Sequence, residues 1–394
     1  MKIDVRGSEL EECVDDLKKI IDAAPGEMVT LSAEADGTEK GRVTVRRIDG
    51  GNMAELKVDA RVLESGAVTV RFQELTQACA PFFRDKATVA CGLAYVTIES
   101  GPARVSIENH NNEFDRLPEL SAKAPRATFS SGDLLAVLQA VDHARSEDFS
   151  YRRTLCGIQL EVDADMKLRA VATDGRRLCT ATAQITRAEL KIPKFEQFLP
   201  HKAVEFIMRV LMGETVTIYQ RVNSVGIETG GSFGIFVTNE ITFPKWRTCV
   251  PVKPTYRATF NGGELADALD DAISALHYRP TAVDEDGEPA EEDFGVHIYS
   301  AEPGKAGLTV KIADSLLGDY PKFFTTVSCQ TPDAGEFAAD FDARFLLEVI
   351  GDHEGKVEAY ADPISSDGKQ FGPFTFKFPD DPDTYEVLMP LRKG

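Results

Sequence analysis

No two of the seven cysteines in this 394-residue chain stand at CxxC spacing. Scattered thiols of this kind (Cys13, Cys79, Cys91, Cys156, Cys179, Cys249, Cys329) suggest neither a disulfide framework nor a metal site, and they suit a reducing compartment. No apolar run approaches the roughly 18 residues of a membrane span, and the opening MKIDVRGSELEE lacks the basic start and apolar middle of a signal peptide, so a cytoplasmic protein is expected. Catalytic signatures are missing as well: there is no GxGxxG, GxxxxGK[ST], HExxH or GxSxG. The six histidines (His110, His143, His201, His277, His297, His353) sit apart in sequence from any obvious partner acid or nucleophile and read as surface or helix-end residues. Basic residues are scarce, 44 against 64 acids, for a formal charge of −20. That argues against a DNA binder of the ordinary kind, whose affinity comes from Lys and Arg neutralising phosphates, while strong net charge of itself favours solubility.

What the chain does contain is a repeat. Ala127 to Val141 reads ATFSSGDLLAVLQAV and Ala258 to Ala272 reads ATFNGGELADALDDA, with Leu134 and Leu265 fixing the register. A looser copy opens the chain, where Val5, Ser8, Glu9 and Leu10 stand in the places of Phe129, Gly132, Asp133 and Leu134. A period this long is whole-domain triplication, since solenoid repeats run about 20–50 residues.

Each copy starts a helix with one apolar face: Leu10, Cys13, Val14, Leu17, Ile20 and Ile21; then Leu134, Val137, Leu138 and Val141; then Leu265, Ala268, Leu269, Ala272 and Ile273. Strand-like sequence follows, at Arg42–Arg46, Leu168–Ala183 and Leu308–Ile312. A second helix is expected in each copy, over Phe72–Phe83, Lys202–Met212 and Asp342–Ile350. The fold class is therefore α+β, three pseudo-repeated domains of two helices packed on antiparallel sheets. Proline-bearing joints at Leu117–Arg126 and Val250–Arg257 set boundaries giving domains 1–125, 126–255 and 256–394. The acidic stretch Pro280–Asp293 reads as a loop too polar to pack.

The sharpest local signal is Val171-Ala-Thr-Asp-Gly-Arg-Arg-Leu178. Asp-Gly between alternating strands also suits a plain hairpin turn. Together with Thr154–Ile158, Ile241–Pro244 and the terminal Val387-Leu-Met-Pro-Leu-Arg392, in that order and spacing, the chain resembles the bacterial DNA polymerase III beta sliding clamp family. Domains two and three carry nearly all of the likeness, and the first keeps the helix pattern but few family residues.

The resemblance implies three clamp domains forming half of a ring, a homodimer that encircles double-stranded DNA without sequence preference, with no catalysis, cofactor or metal of its own. It implies partners as well: a replicative polymerase, a clamp loader and other proteins whose short peptides dock in an apolar pocket between the second and third domains. The matching residues are Leu155, Thr173, Gly175, Arg176, Arg177, Leu178, Pro244, Cys249, Val387, Met389, Pro390, Leu391 and Arg392, of which Cys249 and Arg176 depart from the expected residue types. Aliphatic walls would supply burial, and rim arginines would bind polar or acidic groups. The terminal VLMPLR could equally be the end of a last strand packing on its own domain.

Candidate DNA-facing residues are Arg84, Lys86, Arg152, Arg153, Lys202, Arg209, Arg279 and Arg344, set against the acids Glu11, Asp15, Asp16, Asp267, Asp270 and Asp271 on the first helices. Dimer-contact candidates are Arg104, Val105, Ile107 and Leu276; an unpaired edge at Arg104–Ile107 could pair with a partner's third domain or be protected by Pro102 and its own charges. Two other readings stand beside the clamp. One is an acidic scaffold of the same fold that binds peptides and never loads on DNA. The other is a metal-free hydrolase using Asp174, although a hairpin-tip carboxylate beside two arginines is expected to stay ionised and solvated.

Overall fold

The computed structural model describes residues 1–21, 27–34, 41–79, 86–110, 124–150, 152–163, 165–185, 188–190, 195–211, 213–238, 241–251, 254, 256–277, 295–300, 308–312, 324–330, 338–351, 353–362 and 372–391. Six times among them a strand runs straight into a helix. Lys2–Arg6 leads into α1 (Gly7–Ile20), Gly66–Arg71 into α2 (Phe72–Ala78) and Arg126–Ser130 into α3 (Ser131–Asp142). Phe195–Pro200 leads into α4 (His201–Val210), Tyr256–Asn261 into α5 (Gly262–His277) and Ala338–Asp342 into α6 (Ala343–Ile350). Two such junctions fall in each sequence repeat, and the strand pairs among the described residues are antiparallel, as the α+β reading requires.

The repeat motif works by ending each strand on a helix cap. Ser130 Oγ accepts from the Asp133 amide at 3.4 Å, and Asn261 Oδ1, in the same place of the next copy, accepts from the Glu264 amide at 2.9 Å. Each satisfies one of the amides that a helix start leaves unpaired. In the looser first copy the equivalent residue is Arg6, whose side chain makes no such bond. The apolar stripes then turn inward: Leu10, Cys13, Val14, Leu17 and Ile20 of α1 are buried, as are Leu265, Ala268, Leu269 and Ala272 of α5.

By contacts the chain divides into two compact units. The first holds Met1–Leu138, Gly157–Leu168 and Ala183–Thr242; the second holds Gln139–Cys156, Arg169–Thr182 and Phe243–Gly394. Pairing of strands between successive repeats occurs inside each unit and follows one rule. In the first, Ser232–Val237, the last strand of the second repeat, pairs with Asn52–Glu64, the fourth strand of the first repeat (Phe233↔Glu55, Ile235↔Met53). In the second, Asp381–Leu388, the last strand of the third repeat, pairs with Arg177–Gln184, the fourth strand of the second (Leu178↔Val387, Thr180↔Tyr385). The strands that would continue the series are Ala103–Glu108, last in the first repeat, and Phe324–Val327, fourth in the third. Among the described residues each has a single partner strand, Tyr95–Ser100 and Leu308–Ile312 respectively.

One helix is shorter than the sequence suggests. The helix expected over Phe72–Phe83 stops at Ala78, where the Cys79 amide closes the last turn on Leu75 O at 2.9 Å, and residues 80–85 lie outside the described set. The acidic stretch 280–293 also lies outside it. No helix among the described residues is long and apolar enough to cross a membrane.

Candidate peptide-docking site

Every described residue of the expected docking set falls in the second compact unit. Its base is a pair of antiparallel strands, Arg177–Gln184 and Asp381–Leu388, joined in register with Leu178 opposite Val387. Alternation sends both side chains to one face, where they bury with Val171 and Trp246, and Phe243, Val250 and Tyr385 pack around them. Trp246, the only tryptophan of the chain, was not singled out by sequence reasoning, yet it closes this cluster from a one-turn helix, Trp246–Cys249. The Arg247 guanidinium lies 4.2 Å from its ring centroid, within cation–π range.

The turn above the cluster is held by its own side chains. Asp174 Oδ1 accepts from the amides of Arg176 (2.8 Å) and Arg177 (2.9 Å), and Thr173 Oγ1 donates to Arg177 O at 2.6 Å while accepting from the Gly175 amide at 3.1 Å. Gly175 takes a φ of +92°, a region costly for residues with a Cβ. A Cβ there would touch Leu155 Cδ1 at 3.6 Å and Arg152 Nη1 at 3.9 Å, which locates Leu155, buried, and Arg152 against the turn. Asp174 is therefore committed to turn geometry, which removes the basis for reading it as a general base.

The two arginines separate in role. Arg177 is mostly buried: it binds Asp174 Oδ2 at 3.1 Å, pairs with Glu348 of α6 and lies 4.9 Å from the Phe345 ring centroid. It fastens the turn to α6. Arg176 is exposed, 5.7 Å from the same ring, and is the one of the pair presented at the rim.

The C-terminal run adds the remaining wall. The Met389 amide donates to Arg176 O at 2.8 Å and the Leu391 amide to Asp340 O at 2.7 Å, so the chain beyond the strand is tied down. Met389 and Pro390 are half-buried, while Leu391, Pro244 and Cys249 are exposed. Arg392 lies outside the described residues. The structure thus gives a buried floor (Leu178, Val387, Val171 and Trp246), Leu155 buried against the turn, and a partly exposed apolar rim.

Four of the six described residues expected to face DNA are matched to acids. Lys86 Nζ lies 2.6 Å from Asp4, Arg209 Nε lies 3.0 Å from Glu205, Lys202 Nζ lies 3.9 Å from Asp49, and Arg344 binds its own cap residue Asp342 at 2.9 Å. Arg152 and Arg153 are exposed, and Arg84 and Arg279 lie outside the described residues. On the helices themselves α5 exposes Glu264, Asp267, Asp270 and Asp271. On α1, Asp16 has its carboxyl pushed up by burial, which the nearby Arg209 opposes.

Two expectations change. Leu276 is 3% exposed and sits in the apolar core of the second unit, one helical turn beyond Ala272, so it has no surface to offer a partner chain. Arg104, Val105 and Ile107 do lie on a strand at the end of its sheet, with Ile107 buried and Arg104 bound to Glu99 at 3.3 Å. The histidines are not all apart from acids: His143 Nε2 is 3.0 Å from Glu386, and Cys179, register partner of Glu386, lies in the same group.

Residues 129–244 match the family model of the DNA polymerase III beta subunit, central domain. A curated beta sliding clamp from Caulobacter vibrioides (strain NA1000) is 28% identical over 238 residues, 58% of this chain and 55% of that protein, so the chain spans about half the length of the curated relatives it matches. Among solved structures, Caulobacter crescentus pol III beta superposes with a TM-score of 0.78 at 22% identity, covering 100% of both chains. The DNA polymerase III subunit beta of Pseudomonas aeruginosa does so at 17% identity, again with a TM-score of 0.78 and complete coverage.

Proposed function

We propose, from a chain whose residues 129–244 match the beta-subunit central domain and whose fold is that of the bacterial beta clamps, that this protein is a DNA sliding clamp. It acts in the cytoplasm as a homodimeric ring of three domains per chain, with boundaries near residues 125 and 256. It has no catalysis of its own, encircles duplex DNA, and tethers a replicative polymerase, a clamp loader and other partners by peptides at the Leu178–Val387 site.

The observation that carries the ring is the pairing rule. Twice within the chain the last strand of one repeat pairs with the fourth strand of the repeat before it, and the strands left over are Ala103–Glu108 and Phe324–Val327. Two chains head to tail satisfy both leftovers at two identical joints and close the assembly, which also removes both exposed edges of each chain. Acid-paired basic residues and an acidic α5 fit a protein held on DNA by enclosure, because strong phosphate contacts would slow sliding.

Mass measurement in solution tests the ring. The native chain should have twice the 43.1 kDa of one chain, and Val105→Glu, placing a charge on the half-buried edge, should give the single-chain mass with unchanged circular dichroism. A native monomer at micromolar concentration, or a dimer indifferent to Val105→Glu and to Thr326→Pro, would remove the proposal.

A further inference from the structure

Behind the docking face, the same two strands carry a second group of side chains. Leu178 and Val387 point to the apolar cluster, so their neighbours Cys179 and Glu386, also opposite each other in register, point the other way. There Cys179 Sγ approaches Ala140 O near the end of α3 at 3.4 Å, and His143, just beyond that helix, brings Nε2 to 3.0 Å from Glu386 Oε1. One donor atom from each of the three residues lies within 4.8 Å of the other two. Cys179 is 0% and Glu386 3% exposed, while His143 is partly open to solvent.

A second observation is independent of the clustering. Glu386 Oε2 is buried and accepts no well-formed hydrogen bond, the Cys179 thiol acting on the same carboxyl only weakly, an arrangement that native interiors rarely retain unless another group completes it. Burial pushes both the Cys179 thiol and the Glu386 carboxyl up, opposed at Glu386 by His143 and by the Cys179 thiol.

We propose that His143 Nε2, Cys179 Sγ and Glu386 form a binding site for one transition-metal dication of the zinc class. Thiolate, imidazole and carboxylate together suit Zn²⁺ or Co²⁺ rather than the oxygen-preferring Mg²⁺ or Ca²⁺. Closing the three donors around one ion needs side-chain shifts of about 1 Å, since metal–ligand distances are roughly 2.0–2.3 Å. On loading, the Cys179 S–H bond breaks, its proton leaves to solvent, and the thiolate binds the ion; no electron is transferred. The fourth position belongs to a water entering beside His143. The consequence is mechanical: the ion clips together strands from the second and third repeats and the end of α3, directly beneath the docking floor. The inference stands whether or not the chain is a clamp.

The test uses the full chain in a Cys249→Ser background, which removes the exposed thiol, treated with chelator and then titrated with Co²⁺ and Zn²⁺. The expected result is one ion per chain, a near-ultraviolet thiolate-to-Co²⁺ charge-transfer band, displacement of that band by Zn²⁺, and a rise in melting temperature. Cys179→Ser should abolish the band. His143→Ala, at a partly exposed position, should weaken binding, and circular dichroism of the metal-free variant checks that the fold survives the loss of the partner of Glu386. Absence of the band at saturating Co²⁺, a band that survives in Cys179→Ser, or affinity unchanged in His143→Ala would each overturn the site.

Discussion

Leu178 and Val387 face each other across a strand register that joins the second sequence repeat to the third, and both bury against Trp246. One pair of residues therefore holds two repeats together and floors the docking site, so stability and recognition must be separated when the site is tested.

Met389 makes that separation possible. Leu178→Ala truncates a residue 4% exposed and should destabilise the second unit by about 2–5 kcal/mol. Met389→Ala, at a half-buried position whose amide rather than side chain ties it to Arg176, should leave the unfolding midpoint nearly unchanged. It should weaken a polymerase-derived peptide by about 1–2 kcal/mol, roughly tenfold. Trp246 fluorescence, coming from the single tryptophan in this cluster, reads both outcomes. Unchanged peptide affinity in Met389→Ala would contradict the docking assignment.

Gly175→Ala probes the turn. The added methyl would meet only ordinary contacts, so the penalty comes from a φ of +92° and should be about 1–2 kcal/mol. The turn presents Arg176, and peptide binding should fall with it. Denaturant melts and peptide titration check both, and equal stability to wild type would show that the turn relaxes freely.

A third prediction concerns acid stability. Glu358 accepts from Tyr360 Oη, from Lys356 Nζ at 3.1 Å and from Arg257 Nη2 at 2.8 Å, and these bonds, the tyrosine foremost, lower its carboxyl to about 2. Because the folded value is depressed, its stabilisation is complete above the unfolded value near 4.5 and is lost as pH falls towards about 2. Glu358→Gln should flatten the fall in stability across that window and leave the slope at neutral pH alone. An identical acid profile in the variant would show that the triad contributes nothing.

The sequence made the periodic parts of this architecture legible. Apolar spacing at Leu265, Ala268, Leu269 and Ala272 gave the face of α5, and the repeated ATFS and ATFN segments prove to end their strands on helix caps. Leu276 continues the same stripe one turn further, so its burial follows from the helix period and not from any role at a surface. Trp246, Phe345 and Glu348 were missed for another reason. Their places beside Leu178 and Arg177 depend on strand register and on α6 packing against the turn, neither of which leaves a local pattern. The same holds for His143 and Cys179, brought to Glu386 from separate elements.

Retention on circular DNA tests enclosure most directly. The protein should remain on a nicked circle after loading, persist there at high salt because few counterions are released, and depart when the circle is cut. Binding that ignores cutting, or that falls steeply with salt, would mean the chain holds DNA by surface contact. No retention on the closed circle would leave a peptide-binding scaffold of the same fold.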